Sequence, residues 1–103
     1  MLYDPNWQNK KPTARKLRGW RRILWEGADV IEKEGWIQHE GRNEKGYCII
    51  GAMLTLTASA RSFVIAECKL AEAVGVIFVE DWNDHKRRTK AQVISKMREA
   101  ALS

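Results

Sequence analysis

The sequence contains few of the residues that cross-link small proteins or interrupt their helices. Its 103 residues include only two cysteines and two prolines, and no Cys-x-x-Cys or paired Cys/His spacing occurs. Neither a disulfide scaffold nor a zinc domain is therefore expected, and we predict no metal and no cofactor. We interpret Cys48 and Cys68 as small buried apolar residues in a reducing compartment.

Long apolar runs are also missing. No stretch reaches the roughly 20 apolar residues that a membrane-spanning helix needs, and the first residues lack the apolar core of a signal peptide. We therefore expect a cytoplasmic protein without membrane contact. The sequence has no phosphate-binding glycine loop and no helix-turn-helix, zinc-finger or RNA-recognition signature.

One stretch lacks charge altogether. Gly46–Ala60 contains no Asp, Glu, Lys or Arg, although these four residue types make up 30% of the chain. In a helix its apolar side chains would point in every direction, which is typical of a segment buried on all sides. We interpret it as a central helix over 47–59, although 52–57 would also suit a strand.

Three amphipathic segments could cover this central helix. Their apolar residues recur at helical spacing over 13–34, 62–74 and 89–101. Thr13 is a candidate cap for the first segment, and Thr89 with Gln92 has the spacing of a capping box. Gly35 and Gly75 are candidate stop signals.

The fold class predicted from these segments is all-α. We expect a compact four-helix domain over 13–103, with the uncharged helix at its centre, preceded by an N-terminal arm over 1–12 that contains both prolines. The short apolar run 76–79 is predicted to be an extended segment across the core or an isolated strand.

Positive charge is concentrated in two places. The chain carries a net charge of +5, and seven basic residues without an acid lie within 10–22, while a second cluster lies within 86–90. Trp25 falls among the arginines of the first helix, where it is either covered by the arm or a loop, or exposed for a protein partner or nucleic acid. The candidate partner-binding residues are Arg15, Arg18, Arg21, Arg22, Trp25, Arg87 and Arg88.

A pocket is expected where the uncharged stretch meets polar loops. Cys48 would lie at a helix start, which favours the thiolate, and His39, His85 and Asp84 could complete a Cys-His-Asp arrangement. The Trp-Asn-Asp sequence at 82–84 equally suits a structural tight turn. The candidate pocket residues are Trp36, His39, Tyr47, Cys48, Trp82, Asn83 and Asp84.

Several short motifs occur in a suggestive order between Leu17 and Ala101. They are Gly35-Trp36, Gly46-Tyr47-Cys48 with Gly51-Ala52, Trp82-Asn83-Asp84 and Arg88-Thr89. This order resembles a family of small uncharacterised bacterial and phage proteins that share a domain of unknown function. The resemblance implies a mostly helical fold and no particular chemistry.

The function expected from the sequence is that of a small non-enzymatic binding or regulatory module. It would act through contacts with another protein, and would be carried by a phage or another mobile element. One alternative is a nucleic-acid-binding accessory protein that uses the basic face of the first helix. The other is a small cysteine-dependent enzyme built around Cys48.

Overall fold

The computed structural model of the chain describes residues 17–103, and the fold in this range is mostly helical. The predicted arm over 1–12 and the predicted cap Thr13 lie outside the described residues. Five helices and one two-stranded hairpin follow in chain order: α1 Gly19–Glu34, β1 Arg42–Asn43, β2 Gly46–Tyr47, α2 Ile49–Leu54, α3 Ala60–Val74, α4 Val79–Asn83 and α5 Lys90–Leu102.

Helix α1 lies at the centre of the described fold and packs against α2, α3 and α5. Its buried stripe has the predicted helical spacing and comprises Ile23, Leu24, Gly27, Ala28 and Ile31. The helix ends at Gly35, as predicted, where the Gly35 amide donates to the carbonyl of Ile31 at 2.9 Å. The core is therefore organised around the first helix, whereas the sequence had indicated the uncharged stretch.

The uncharged stretch does not form one helix over 47–59. Its start pairs as strand β2, its middle forms the six-residue helix α2, and its end from Thr55 is a largely exposed connection. Ile49, Ala52 and Met53 are buried, whereas the Leu54 residue is 65% exposed. The uncharged stretch is therefore only partly buried, because just one face of α2 contacts the core.

The hairpin fixes the loop that follows α1. Strands β1 and β2 are antiparallel, with Arg42 opposite Tyr47 and Asn43 opposite Gly46. The Ile37 amide donates to the Tyr47 carbonyl at 3.1 Å, and the Tyr47 amide donates to the Gly35 carbonyl at 3.1 Å. Backbone hydrogen bonds therefore tie together the chain between α1 and α2.

Helix α3 begins two residues before its predicted start, because Ser59 caps it. The Ser59 hydroxyl accepts a hydrogen bond from the Ser62 amide at 3.1 Å, which satisfies one of the free amides of the first turn. The helix ends at Gly75 in the left-handed conformation, as predicted.

The apolar run 76–79 is neither a strand nor an extended segment through the core. Val79 begins the short helix α4 and is buried, together with Trp82 and Asn83. Ile77 and Phe78 are 86% and 60% exposed. The α4 turn explains the difference: Val79 and Trp82 are three residues apart and share its inner face, so the two residues before it remain outside.

Helix α5 packs along α1 and closes the domain. The predicted capping box is present: the Thr89 hydroxyl accepts from the Gln92 amide at 3.2 Å, and the Gln92 side chain accepts from the Thr89 amide at 3.1 Å. Its buried stripe comprises Val93, Met97, Ala100 and Ala101. Within residues 17–103, no helix is long and apolar enough to cross a membrane.

Candidate functional site

Asn83 joins three segments that are distant in sequence. Its side-chain oxygen accepts from the Trp36 indole at 2.9 Å and from the Ile49 amide at 3.1 Å. Its side-chain nitrogen donates to the Ile37 carbonyl at 3.2 Å and to Asp84 Oδ1 at 2.9 Å. Asn83 is only 1% exposed, and its bonds to Ile37 and Ile49 are buried. Together these bonds hold α4 against the hairpin region.

Four of the seven candidate pocket residues line one cavity around this asparagine. A pocket of about 240 Å³ is lined by His39, Glu40, Gly41, Cys48, Ile50, Glu80, Asn83 and Asp84. Tyr47 and Trp36 lie beside it through the backbone bridge between them. The structure thus brings His39, Cys48 and the Asn83–Asp84 pair together from three separate stretches of sequence. Trp82 does not line this pocket and faces another cavity, next to α5.

The polar groups of this pocket are engaged with one another. Asp84 Oδ1 accepts the His39 amide at 2.9 Å, and Asp84 Oδ2 lies 3.7 Å from His39 Nδ1. The Cys48 thiol accepts the Gly51 amide at 3.3 Å and thereby caps α2. Among residues 17–103, no hydrogen bond joins His39 to the thiol, and no group of three His, Cys, Asp or Glu is arranged to hold a metal.

The arginines of α1 make contacts within the protein. Arg21 donates to the Ala101 carbonyl at 3.0 Å, and Arg22 pairs with Glu26 at 3.0 Å and also donates to the Thr57 carbonyl. Two of the candidate partner-binding residues are therefore used to connect elements. Arg15 lies outside the described residues, and Arg18 is exposed just before α1.

Trp25 is half-buried and packs against the core. Arg98 of α5 lies over its ring, with the guanidinium carbon 5.4 Å from the ring centroid. The same arginine pairs with Asp29 at 2.7 Å and with Glu32 at 3.2 Å, and hydrogen bonds to Glu32 and then Asp29 raise its pKa above the ordinary value. The acids in the second half of α1 thus have an internal partner.

The second basic cluster is divided between packed and exposed residues. Arg88 stacks on Trp82, with its guanidinium carbon 3.9 Å from the ring centroid, and its Nε donates to the Trp82 carbonyl at 3.0 Å. Arg87 is exposed.

A surface that the sequence did not indicate lies along α3 and the turn before α4. We call it the acidic groove; its volume is about 540 Å³ and it is lined by Glu67, Cys68, Ala71, Glu72, Val76, Ile77, Phe78 and Glu80. Cys68 is exposed here, so the prediction that it is buried was wrong. The helix places it on the outer face of α3, away from the buried stripe of Ala66 and Leu70.

The acidic groove combines apolar and negatively charged side chains. Ile77 and Phe78 are two of the largest exposed apolar residues among those described, and three glutamates but no lysine or arginine line the groove within the described part of the chain. The pKa of Glu67 is raised from its ordinary value, first by burial and then by the charge of Glu80. Glu67 is therefore close enough to Glu80 for their charges to repel each other.

A local signal for the exposed pair was present in the sequence. Gly75 stops α3, and Glu80 with Asp81 follows Val79, which suits the first turn of a new helix because acids are favoured at helix N-termini. A helix that starts at Val79 leaves Ile77 and Phe78 in the connection. The apolar character of the run concealed this signal.

The comparison with protein families identifies the family of the chain but describes no function for it. A family model for DUF6197, a family of unknown function, matches residues 18–102. The chain belongs to DUF6197. The match covers the described fold almost completely and confirms the expected membership of a family of unknown function. No curated protein and no solved structure matches the chain significantly, so the DUF6197 assignment brings no activity with it.

Proposed function

We propose that the protein is a small binding module that acts through contacts with another protein, and that the acidic groove is its docking surface. The observation that carries this proposal is the exposure of Ile77 and Phe78, at 86% and 60%, beside three glutamates. Adjacent exposed apolar residues with a polar rim are typical of protein-interaction sites. Aromatic side chains such as Phe78 are enriched in the core of such interfaces.

Charge complementarity defines the partner segment. Glu67 is held partly desolvated beside Glu80, and a lysine or arginine placed between them would relieve their repulsion. An amphipathic helix with apolar residues at three- and four-residue spacing could lay its apolar face against Ile77 and Phe78. The occupant that fits best is therefore a basic amphipathic segment of a partner protein.

The nucleic-acid alternative has less support. It relies on the basic face of the first helix, yet Arg21 and Arg22 are engaged with Ala101, Glu26 and Thr57 inside the protein. The enzymatic alternative at Cys48 also has less support, since its thiol caps α2 and His39 contacts Asp84 instead.

A peptide-display selection tests the proposed surface without assuming a sequence for the partner. Random peptides are selected on the full chain, and those that also bind the double variant Ile77→Asp, Phe78→Asp are discarded. We expect the retained peptides to be enriched in Lys and Arg interleaved with Leu, Ile and Phe. An enrichment of acidic peptides, or no enrichment, would contradict the proposal.

Affinity measurements with a selected peptide then distinguish specific binding in the groove from nonspecific binding to exposed apolar residues. Phe78→Ala should weaken binding about tenfold, which is the usual size for an anchor residue. Leu54→Ala is the matched control, because Leu54 is also a large apolar residue with 65% exposure but does not line the groove. Equal losses in both variants would show that the peptide binds any exposed apolar surface.

A further inference from the structure

Another concave surface is lined by the end of α3, by Trp82 of α4 and by the first half of α5. We call it the basic cleft; its volume is about 420 Å³ and it is lined by Ala73, Val74, Trp82, Arg88, Ala91, Gln92, Ser95 and Lys96. It shares no lining residue with the acidic groove. Its size falls within the range of small-molecule sites, which is about 300–1,000 Å³.

The arginine of this cleft is fixed before any ligand arrives. The Arg88 guanidinium lies 3.9 Å above the Trp82 ring centroid, and Nε donates to the Trp82 carbonyl at 3.0 Å. Among residues 17–103, no protein acceptor bonds its two terminal nitrogens, Nη1 and Nη2. A guanidinium held in this way keeps a planar pair of donors for a carboxylate or phosphate and loses little freedom on binding.

The other charged lining group is also a cation. Lys96 lines the cleft and makes only a long contact of 3.5 Å with Glu99. No carboxylate is found among the described residues that line the cleft, and the exposed side chains of Lys86, Arg87 and Lys90 add positive charge close by. Two cations without an acid in a concave surface favour an anionic ligand.

The remaining lining groups indicate what the uncharged part of such a ligand would contact. Ala73, Val74 and Ala91 provide an apolar wall, and the Ser95 hydroxyl and Gln92 side chain provide a few polar groups. Apolar walls with a few convergent polar groups are typical of small-molecule sites. We propose that the basic cleft binds a small organic anion, with a carboxylate or phosphate group at Arg88 and Lys96 and an apolar or aromatic body against the wall.

The test uses four probes of known chemistry on the full-length protein. Phenyl phosphate and benzoate combine an anionic group with an aromatic ring. Inorganic phosphate has the negative charge without a ring, and benzyl alcohol has the ring without a charge. Amide NMR spectra follow each titration. We expect dissociation constants of about 1 mM or tighter for at least one aromatic anion, with shifts centred on Trp82, Arg88 and Ser95. The preferred anion distinguishes a phosphate from a carboxylate ligand.

Matched variants test whether the aromatic anion binds in the basic cleft. Arg88→Gln should weaken binding of the aromatic anion at least about tenfold, the usual effect of losing a charge-assisted bidentate contact. Arg87→Gln is the control, since it removes the neighbouring charge from an exposed side chain outside the cleft. Because Arg88→Gln also removes the Trp82 stack and could unfold the region, Lys96→Gln serves as a second variant and should weaken binding several-fold.

Three results would overturn the proposal. The first is no binding by either aromatic anion at concentrations well above about 1 mM. The second is equal binding of benzyl alcohol, which would make the anionic group irrelevant. The third is an equal loss in Arg87→Gln and Arg88→Gln, which would indicate diffuse attraction to the basic surface. None of these results would contradict the proposal for the acidic groove, because that proposal concerns other residues and other ligands.

Discussion

At the scale of single side chains, Asn83 is the polar residue that depends most on hydrogen bonds within the protein. Its amide satisfies the Trp36 indole, the Ile49 amide and the Ile37 carbonyl, and only 1% of the residue is exposed. A buried donor or acceptor that loses its partner costs about 1–3 kcal/mol. Asn83, which the sequence indicated as a candidate pocket residue, therefore also stabilises the fold.

Asn83→Ala should consequently lower the free energy of unfolding by about 3 kcal/mol, because it leaves the Trp36 and Ile49 donors without an acceptor. Urea denaturation followed by tryptophan fluorescence measures this change. Asn43→Ala is the control: its exposed side chain, at the end of β1, accepts a hydrogen bond from the Lys45 amide, and we expect a loss below about 1 kcal/mol. Similar losses in the two variants would show that the Asn83 bonds add little.

Glu67 links stability to pH at the same scale. Burial, followed by the charge of Glu80, raises its pKa above the ordinary value of 4.5 in the folded protein. The folded state therefore binds a proton more readily than the unfolded state between these two pKa values. Its contribution to stability is most favourable below pH 4.5 and is lost as the pH rises through the folded-state pKa.

Glu67→Gln should therefore raise the midpoint of thermal unfolding at pH 7, and the gain should disappear as the pH falls below 4.5. Thermal unfolding at a series of pH values measures both effects. Glu72→Gln removes an equal charge from an exposed side chain of the same groove and should change the midpoint less. A gain for Glu67→Gln that persists unchanged in acid would contradict the electrostatic explanation.

Between elements, close backbone approach explains two glycines of the short motifs. A Cβ atom on Gly51 would lie 1.9 Å from the Gly41 carbonyl oxygen, and one on Gly46 would lie 2.3 Å from the Gly35 carbonyl oxygen. Both contacts are far shorter than real Cβ contacts allow. The hairpin region can therefore pack on α1 and α2 only with glycine at these positions.

Gly51→Ala should destabilise the protein by about 1–3 kcal/mol, the usual cost of overpacking, since the neighbouring group is backbone and cannot rotate away. Gly41→Ala is a control on the other side of the same contact, because a Cβ there would meet no atom within 4 Å. Chemical denaturation of both variants gives the comparison. A neutral Gly51→Ala would mean that the loop at Gly41 shifts at little cost.

The elements that were predictable from the sequence are those with strong periodicity or a local cap. The buried stripes of α1 and α5, the capping box at Thr89 and the stop at Gly75 all follow from spacing and backbone preference. Each of these signals acts within a few residues, so neighbours in sequence suffice to define it.

The uncharged stretch and the run 76–79 were predicted wrongly, for two different reasons. Strand β2 forms because Gly46 lies against Gly35, a contact between residues 11 positions apart that no local pattern records. Ile77 and Phe78 have the composition of a core segment, yet the α4 turn buries Val79 and Trp82 instead. In the first case a tertiary contact overrides composition. In the second case the local signal for a helix start, the acids Glu80 and Asp81, was concealed by the apolar composition of the run.

At the scale of the whole molecule, charge is unevenly distributed. The chain carries a net charge of +5, but three glutamates line the acidic groove and two cations line the basic cleft. Of the seven candidate pocket residues, His39, Cys48, Asn83 and Asp84 line the Cys48 pocket, whereas Trp82 lines the basic cleft. The members of the acidic groove all lie within 67–80, but they come from α3, the connection after it and the first turn of α4. The groove escaped prediction because the end of α3 and the start of α4 decide which of these side chains share one surface.

The most direct test of the docking surface is an amide NMR titration with an amphipathic peptide of Leu and Lys at helical spacing. Because the protein is itself basic, nonspecific attraction to such a peptide is disfavoured. We predict shifts that cluster at Glu67–Phe78, including Ile77, and that disappear in the double variant Ile77→Asp, Phe78→Asp. Shifts centred on the arginines of α1, or no shifts at millimolar peptide, would contradict the assignment of the acidic groove as a protein-docking surface.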